Sequence, residues 1–564
     1  MKMTLSPVTR HLHQLFLAAL ATTSITLPAM AATAPAADAP PTRPKLVVVL
    51  VVDGLPNEQV LRYREQFSGG FKRLLGQGAA FANAHQAHGI TFTAVGHAAI
   101  LSGAYPYQHG IISNGWIDAK TISPMYCTQD TNHHYLGSET TAPSDGTSPA
   151  NLRVTTLGDE LRYASGQQAK VITVSGKDRG AILLAGKTGT AYMYMDKTGN
   201  FASSSYYMPQ HPQWVNNFLA SKPQDRFYGK DWCLALPEAS YANDVKATTV
   251  ASSACKNKAF SGSYKSASGK PDKEYYGELK TGPYVDQLTL EFARAAMLGE
   301  SLGKNPSGAT DLLAVSLSSH DYVNHEFGPE HQKSHDHLQQ LDRLLGEFFS
   351  FVDQRVGLDN TLILLTADHG FPNTPEFYSA GKYDSKRLDS KKMVSALNAH
   401  LAEKFGVDKL LVASSAPNFW LDQTLIAQKN LKREEVENAA ARFLLGYDGI
   451  ADVYTRSQLE SGSVPASKTG KLMQRAWHRQ VSGDLLLVTK PFWYFGSGDG
   501  GTSHGSPYAY DTNVPLLLMG KPWVRAGSYG QYAEVVDIAP TLAYLLQLRP
   551  PAGAEGRVLT EALR

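Results

Sequence analysis

The feature that most constrains the fold is a set of short, uninterrupted apolar runs rich in valine and leucine. The first, at 45–53, reads Lys-Leu-Val-Val-Val-Leu-Val-Val-Asp. Similar runs lie at 170–174, 311–316, 361–366 and 514–519. Such runs are typical of strands buried on both faces of a sheet. Stretches with helical periodicity, such as 338–352, lie between them. The alternation predicts an α/β fold with a mostly parallel central sheet.

Polar side chains follow four of these runs. They are Asp53, Lys177, Asp321 and Asp368. In an open α/β sheet, ligands bind beyond the carboxyl ends of the parallel strands. We therefore expect these four side chains to converge on one site at that edge of the sheet.

Two segments interrupt the alternation of strand and helix. The segment from about 188 to 282 is rich in Gly, Ser, Tyr and Lys and has weak periodicity. The segment from about 372 to 490 contains helical stretches and short strands and resembles a small αβ subdomain. Both are predicted to be insertions into a catalytic domain that spans 45–564. Inserted segments commonly shape the entrance to a site.

The N-terminus, residues 1–31, is predicted to be a signal peptide. Lys2 and Arg10 give it a basic start, an apolar stretch follows, and Ala29-Met30-Ala31 offers the small residues that a signal peptidase recognises. The apolar stretch is too short to span a bilayer comfortably. An Ala/Pro/Thr-rich tether at 32–44 is expected to be disordered. We therefore expect an exported, periplasmic protein without membrane attachment.

The charge balance argues against nucleic-acid and membrane-surface proteins. The chain has 53 Lys and Arg and 51 Asp and Glu. Loss of the signal peptide removes Lys2 and Arg10 but no acidic residue, which leaves 51 of each. A formally neutral chain lacks the basic excess that those partners require. We expect a small-molecule substrate and no nucleic-acid partner. The sequence leaves the oligomeric state open and is compatible with a monomer.

The cysteines Cys127, Cys233 and Cys255 are an odd set. In an oxidising compartment Cys233 and Cys255 could close one loop and leave Cys127 free, and three unpaired thiols are the alternative. None of them lies in a CxxC or zinc-finger spacing, which argues against a thiolate metal site.

Three aspartates and three histidines form a candidate metal-binding set. They are Asp53, Asp321, His325, Asp368, His369 and His504. Asp321 and His325 are four residues apart and would share one face of a helix. Mixed carboxylate and imidazole ligands suit Zn²⁺. Each residue alone has an ordinary explanation, as a helix cap, a surface pair or a loop residue, whereas the six together favour a metal site.

A candidate nucleophile lies in the small-residue segment Thr91-Phe-Thr-Ala-Val-Gly-His97. A threonine hydroxyl becomes an effective nucleophile only when a base or a metal removes its proton. A helix N-terminus beside a divalent cation would favour the alkoxide. An ordinary helix cap is the alternative, and spacing does not choose between Thr91 and Thr93.

The order of these motifs resembles that of the alkaline phosphatase superfamily, most closely its phosphate-irrepressible monoesterase branch. Over the core it also resembles the nucleotide pyrophosphatase/phosphodiesterases. The resemblance extends from residue 45 to the C-terminus. It implies a three-layer α/β core with helices on both faces of the sheet and inserted cap segments. In these families the nucleophilic threonine precedes a histidine by four residues, which selects Thr93 ahead of His97.

The same resemblance implies two zinc ions. One would be held by Asp321, His325 and His504. The other would be held by Asp53, Asp368 and His369, with the hydroxyl of Thr93 as a further ligand. It also implies hydrolysis of phosphate monoesters through a phosphothreonine, with broad leaving-group tolerance and release of inorganic phosphate.

Three further residues bear on the choice between branches. A monoester dianion carries more charge than a diester and needs more donors. Asn114 matches a phosphate-binding asparagine common to both branches. Lys177 and Arg179, on the same side if the chain is extended, match a Lys-x-Arg element of the monoesterases that the phosphodiesterases lack. A solvated basic turn is the alternative for this pair. We expect a phosphomonoesterase, with a phosphodiesterase or nucleotide pyrophosphatase as the alternative.

Several polar residues near these motifs are interpreted as surface or supporting groups. They are His320, His331, His335, His337, Asp499 and Thr502.

Overall fold

The computed structural model describes residues 43–498 and 500–564. The predicted signal peptide at 1–31, most of the predicted tether at 32–44, and Asp499 lie outside the described residues.

The described strands are short, with seven residues at most. They are β1 (Leu46–Val52), β2 (Ala79–Phe81), β3 (Ala84–His85), β4 (Gly115–Asp118), β5 (Ser123–Tyr126), β6 (Val171–Ser175), β7 (Thr190–Met195), β8 (Asn200–Ala202), β9 (Asp231–Cys233), β10 (Thr249–Val250), β11 (Ala259–Ser263), β12 (Asp311–Leu317), β13 (Thr361–Thr366), β14 (Arg387–Leu388), β15 (Leu411–Ser415), β16 (Asn418–Leu421), β17 (Ile450–Thr455), β18 (Leu485–Thr489), β19 (Tyr494–Phe495), β20 (Leu516–Met519), β21 (Gly527–Tyr529) and β22 (Ala533–Glu534).

The helices lie between these strands, except α19, which follows the last of them. They are α1 (Asn57–Arg62), α2 (Gly70–Gln77), α3 (Thr93–Ser102), α4 (Pro106–His109), α5 (Leu157–Ala164), α6 (Asp178–Ala185), α7 (Gln213–Ala220), α8 (Lys273–Glu278), α9 (Pro283–Gly299), α10 (Ser319–Phe327), α11 (Gln332–Arg355), α12 (Pro375–Ala380), α13 (Ser390–Phe405), α14 (Gln423–Gln428), α15 (Arg433–Leu445), α16 (Arg456–Ser461), α17 (Lys468–Ala476), α18 (Ala509–Thr512) and α19 (Ile538–Leu545). Short 3₁₀ helices lie at Pro223–Phe227, Glu238–Tyr241, Leu358–Asn360, Val535–Asp537 and Thr560–Ala562.

A large central sheet organises the described residues, with the strand order β21-β2-β20-β13-β1-β12-β6-β7-β8. The adjacent strands β13, β1, β12, β6 and β7 run parallel. Strand β20 is antiparallel to both of its neighbours, β13 and β2. Every residue of β1, β12 and β13 is buried, as expected for strands covered on both faces. The predicted α/β fold with a mostly parallel sheet is confirmed.

Helices cover both faces of this sheet. Helices α2, α9 and α11 pack together with the sheet on one face, and α3, α6 and α19 pack on the other. The second group reaches the sheet closely, because the side chain of Ser316 on β12 contacts His97 of α3. Because β13, β1, β12, β6 and β7 are parallel, their carboxyl ends lie at one edge of the sheet, where α3, α6 and α10 begin.

The prediction that one insertion starts at 188 is wrong at its beginning. Thr190–Met195 and Asn200–Ala202 are strands β7 and β8 of the central sheet. Their tyrosines and methionines lack the valine-rich character of the central runs, which concealed them. The rest of the segment carries the small sheet β10-β11-β9. The disulfide Cys233–Cys255 lies there, and Cys127 is buried and unpaired in the described part of the chain.

The segment 372–490 has a sheet and a core of its own. The strands β15, β16, β18 and β17 form an antiparallel sheet in that order. Helices α13 and α15 pack on it through Leu397, Leu401 and Leu444. The segment belongs to the same compact unit as the central sheet. Among the described residues, no helix has the length and apolar character needed to cross a membrane.

Candidate metal centre and phosphate-binding site

The candidate metal ligands meet at the carboxyl edge of the sheet. Asp53 follows β1, and Asp321 and His325 lie on α10 directly after β12. Asp368 and His369 follow β13. Among the described residues the ligand-type atoms form two sets, each with all its atoms within 4.8 Å of one another. Ligand group 1 comprises Asp321, His325 and His504. Ligand group 2 comprises Asp53, Asp368 and His369.

The two ligand groups are adjacent. The rings of His369 and His504, one from each group, stack with their centroids 3.5 Å apart. Nε2 of His369 lies 3.4 Å from Oδ1 of Asp53 and 3.7 Å from Oδ1 of Asp321. The structure thus brings all six predicted side chains into one site, although they come from widely separated parts of the chain.

Each histidine of the two groups donates its Nδ1–H to a backbone carbonyl. The pairs are His325 with Thr502 at 2.9 Å, His369 with Gly370 at 2.9 Å, and His504 with Thr91 at 2.7 Å. A carbonyl oxygen only accepts, so a hydrogen lies on Nδ1, and in the neutral ring the lone pair is on Nε2. Such outer hydrogen bonds orient imidazoles for metal coordination through Nε2.

Several ligand-type atoms of the site lack hydrogen-bond partners among the described residues. They are Oδ1 of Asp53, Oδ1 of Asp321, Oδ2 of Asp368 and Nε2 of His369, all buried. Buried polar atoms are ordinarily hydrogen-bonded, so a cluster of exceptions needs an explanation. Carboxylate oxygens and imidazole nitrogens without thiolates are ligands that suit Zn²⁺. The residues present therefore fit a divalent cation in each ligand group.

Lys177 connects the two groups electrostatically. Its Nζ lies 2.8 Å from Oδ2 of Asp53 and 2.5 Å from Oδ2 of Asp321. Burial would lower the pKa of Lys177, but Asp321 and Asp53 hold that pKa above its ordinary value. One ammonium group cannot balance the three carboxylates that include Asp368. Although burial opposes it, their charge also raises the pKa of His369 to about 9. The site therefore has an excess of negative charge that favours cations.

Helix α3 begins with Thr93 and lies unusually close to ligand group 2. A Cβ atom at Gly96 would lie 2.0 Å from the carbonyl oxygen of Asp368, so only glycine permits this approach. His97 reinforces it: its Nδ1 lies 2.8 Å from the carbonyl oxygen of Thr93 and 3.2 Å from Oδ2 of Asp368. Nε2 of His97 lies 2.8 Å from the hydroxyl of Ser316. These contacts fix the helix N-terminus beside the ligand group.

Asn114 lies next to the start of the same helix. Its Oδ1 accepts a hydrogen bond from the amide of Ala94 at 2.9 Å. A cavity of about 530 Å³ lies here, lined by Phe92, Asn114 and Tyr126 and by residues 414–416 of the second insertion. An organic group attached to a phosphate bound near Asn114 would have room in this cavity.

The sequence placed Lys177 and Arg179 on the same side only if the chain is extended there, and it is not extended over both residues. Helix α6 starts at Asp178, and Lys177 is the extended residue before it. Lys177 reaches both ligand groups, whereas Nη1 of Arg179 donates to the hydroxyl of Tyr126 at 3.2 Å. Local sequence did not show where this helix begins.

The neighbouring histidines are predicted to be surface or supporting groups, and burial of His320, His335 and His337 excludes the surface alternative for these three. Their ring nitrogens lie near polar side chains from distant segments, at 2.8 Å from Gln59 for His320 and 2.8 Å from Asp244 for His335. They support α10 and α11. The contact between Tyr126 and Arg179 was not predicted, because nothing in the sequence places these two side chains near each other.

Comparison with known proteins identifies the family of this chain. The family model of type I phosphodiesterase / nucleotide pyrophosphatase matches residues 47–510. The alkaline phosphatase PhoV of Synechococcus elongatus is 34% identical over 93% of this chain and 93% of its own length. The alkaline phosphatase PafA of Elizabethkingia meningoseptica is 34% identical over 92% of this chain and 95% of its own. A protein of Myroides odoratus named calcium-transporting ATPase is 35% identical over 92% and 95%.

Solved structures give the same relationship. The crystal structure of wild-type PafA superposes with a TM-score of 0.82 at 33% identity and covers 93% of this chain and 99% of that one. A PafA mutant altered at a threonine, an asparagine, a lysine and an arginine, in that order along its chain, gives a TM-score of 0.83 at 32% identity and the same coverage. Murine ectonucleotide pyrophosphatase/phosphodiesterase 5, at 12% identity and a TM-score of 0.53, shares the fold. The chain is therefore a member of the type I phosphodiesterase/nucleotide pyrophosphatase family, in the alkaline phosphatase group that contains PafA and PhoV.

Proposed function

We propose that this protein hydrolyses phosphate monoesters through a phosphothreonine formed on Thr93, with a zinc ion bound in each of the two ligand groups. The observation that carries the proposal is the cluster of buried carboxylate and imidazole atoms beside the N-terminus of α3 that have no hydrogen-bond partner among the described residues. The names of PafA and PhoV as alkaline phosphatases support the reaction class.

The two zinc ions would supply Lewis-acid stabilisation of the entering and leaving oxygens. The remaining contributions come from the chain itself. Thr93 is the first residue of α3, where the helix dipole favours an anionic oxygen. His97 and Gly96 fix that residue against Asp368. Asn114 is fixed by its hydrogen bond with the amide of Ala94, so its side-chain amide can donate to a phosphoryl oxygen.

The reaction has two displacements at phosphorus. In the first, Oγ of Thr93 loses its proton to solvent and forms a bond to phosphorus while the bond from phosphorus to the ester oxygen breaks, and the ester oxygen leaves and takes up a proton from solvent. In the second, water attacks phosphorus, the bond to Oγ of Thr93 breaks, one proton of the water passes to Oγ, and inorganic phosphate leaves. Asn114, Lys177 and Arg179 would bind the non-bridging oxygens in both steps. No protein acid is assigned to the leaving group, so broad tolerance for leaving groups is expected.

The replacement Thr93→Ala tests the nucleophile. The variant should keep zinc and phosphate binding, because the ligand groups are intact, but should lose turnover of p-nitrophenyl phosphate and form no phosphoenzyme. Phosphoprotein trapping by acid quench, with metal analysis of the same sample, makes the measurement. Near-wild-type turnover by Thr93→Ala would rule out the assignment.

A phosphodiesterase is the second candidate, because the matching family model carries that description. Comparison of p-nitrophenyl phosphate with bis-p-nitrophenyl phosphate, hydrolysed by one preparation, separates the two. Joint replacement of Lys177 and Arg179 by alanine should reduce monoester turnover far more than diester turnover, since the dianion needs the extra donors. Faster hydrolysis of the diester by the unaltered protein would decide for a phosphodiesterase.

A further inference from the structure

Tyr126 lies between two groups proposed to bind phosphate, and the mechanism above gives it no role. It ends β5 and pairs across the β4–β5 hairpin with Gly115, the residue after Asn114. The amide of Cys127 donates to the carbonyl of Asn114 at 3.1 Å. The hairpin therefore places the Tyr126 phenol close to Asn114, in the wall of the same cavity.

The phenol of Tyr126 links Arg179 to a carboxylate. Nη1 of Arg179 donates to the phenol oxygen at 3.2 Å, and the phenol donates to Oδ1 of Asp178 at 2.7 Å. A guanidinium only donates and an ionised carboxylate only accepts, which fixes the direction of both hydrogen bonds. The same Oδ1 accepts the amide of Arg179 at 2.7 Å, so Asp178 is itself held at the start of α6.

The Arg179 guanidinium has little else to hold it. Its Nη1 lies 3.9 Å from Oδ1 of Asp178, beyond hydrogen-bond distance, and its Nε is buried without a partner among the described residues. Within the described chain, the phenol of Tyr126 is the acceptor that this guanidinium reaches. A long side chain loses rotamer freedom when it binds an anion, and an anchor that orients the planar fork beforehand reduces that loss.

We propose that Tyr126, held by Asp178, is a positioning residue that orients Arg179 toward the non-bridging oxygens of a phosphate monoester on the side occupied by Asn114. The inference rests on the proposed function. Because Tyr126 acts through Arg179, and the monoester dianion depends on that guanidinium more than a diester does, its loss selectively slows monoester hydrolysis.

The variant Tyr126→Phe tests this by removing the hydroxyl while keeping the ring. We expect kcat/KM for p-nitrophenyl phosphate to fall about tenfold, the size typical of losing a hydrogen bond to a charged group. For bis-p-nitrophenyl phosphate the change should stay below about twofold. In an Arg179→Ala background, Tyr126→Phe should cause no further loss of monoester activity. Tyr194→Phe is the matched control, since that buried hydroxyl donates to the carbonyl of Tyr276 at 3.0 Å.

Two results would overturn the inference: equal losses on the monoester and the diester, or the same loss with and without Arg179. If Tyr126→Phe fails to fold, Asp178→Asn examines the same chain of contacts by weakening the acceptor of the phenol. It should show a smaller loss with the same preference for the monoester, and an unchanged monoester rate would again overturn the inference. Absence of p-nitrophenyl phosphate hydrolysis in the wild type would instead refute the proposed function, so the two failures are distinguishable.

Discussion

Replacement of Gly96 by alanine should cost the protein far more activity than stability. A Cβ atom at this position would lie 2.0 Å from the carbonyl oxygen of Asp368, whereas ordinary contacts begin at 3.4 Å. The obstacle is backbone, so no change of rotamer relieves it. Helix α3 and the end of β13 must separate by roughly 1.4 Å, the difference between these two distances, because a packed interior offers no slack.

That displacement acts on the proposed nucleophile. Thr93 lies one turn before Gly96 on the same helix, so its hydroxyl moves away from ligand group 2. A misplacement of about 1 Å can lower a rate about 100-fold. Overpacking costs about 1–3 kcal/mol, and the change from glycine to alanine within a helix returns about 1 kcal/mol. The variant should therefore stay folded while kcat falls by about two orders of magnitude.

The assay measures kcat with p-nitrophenyl phosphate, zinc content and the melting temperature. Gly76→Ala on α2 is the matched control, since a Cβ there would meet no described atom within 4 Å. It should keep wild-type kcat and gain slightly in stability. A Gly96→Ala protein with normal kcat and full zinc content would show that the closeness of α3 to Asp368 does not position the nucleophile.

Two further measurements probe the site and the scaffold separately. Treatment with a chelator should abolish turnover and lower the melting temperature, because buried atoms such as Oδ1 of Asp53 have no partner among the described residues; unchanged activity would contradict the metal assignment. A ligand at 100 times its Kd stabilises by about 2.7 kcal/mol, so addition of Zn²⁺ should reverse the loss. Burial raises the pKa of Asp537 to about 6 from 3.8, despite amide hydrogen bonds that oppose the rise. A carboxyl whose pKa is raised on folding contributes its full stabilisation of the folded state at pH values below its unfolded pKa. That contribution is lost as the pH rises through its folded pKa. Between pH 4 and 6 the free energy of unfolding of the wild type should thus fall by up to roughly 3 kcal/mol, whereas that of Asp537→Asn should not show this fall. Equal pH dependence of the two proteins in calorimetric melts would exclude this.

The central strands could be read from the sequence because burial on both faces leaves a simple apolar pattern. Strands β1, β12 and β13 are buried at every residue and mostly apolar. Direction could not be read in the same way: β20 is as apolar as its neighbours but runs antiparallel to them. Strands β7 and β8 lie at the end of the sheet and carry residues that also occur in loops, so the sequence offered no contrast between strand and insertion.

The candidate site divides along a similar line. The six ligand-type residues follow strands or lie in glycine-rich loops, and convergence of the parallel strands places them together. The positions of the Lys177 and Arg179 side chains depend instead on the exact start of α6, which the sequence defines poorly. The sequence does not decide between surface and supporting positions for His320 and His335, because their partners Gln59 and Asp244 are distant in the chain and nothing local indicates them.

The three imidazoles of the ligand groups donate hydrogen bonds to main-chain oxygens. This determines which substitutions the site can tolerate during evolution. A carbonyl is present whatever amino acid occupies the position, so substitutions at Thr91 or Thr502 leave the acceptor in place. Most point mutations at the residues that supply these carbonyls therefore preserve the hydrogen bond from Nδ1 and the tautomer that leaves Nε2 available. Only a change in the path of the backbone, such as a loop deletion near Gly370, would move a carbonyl acceptor away from its histidine.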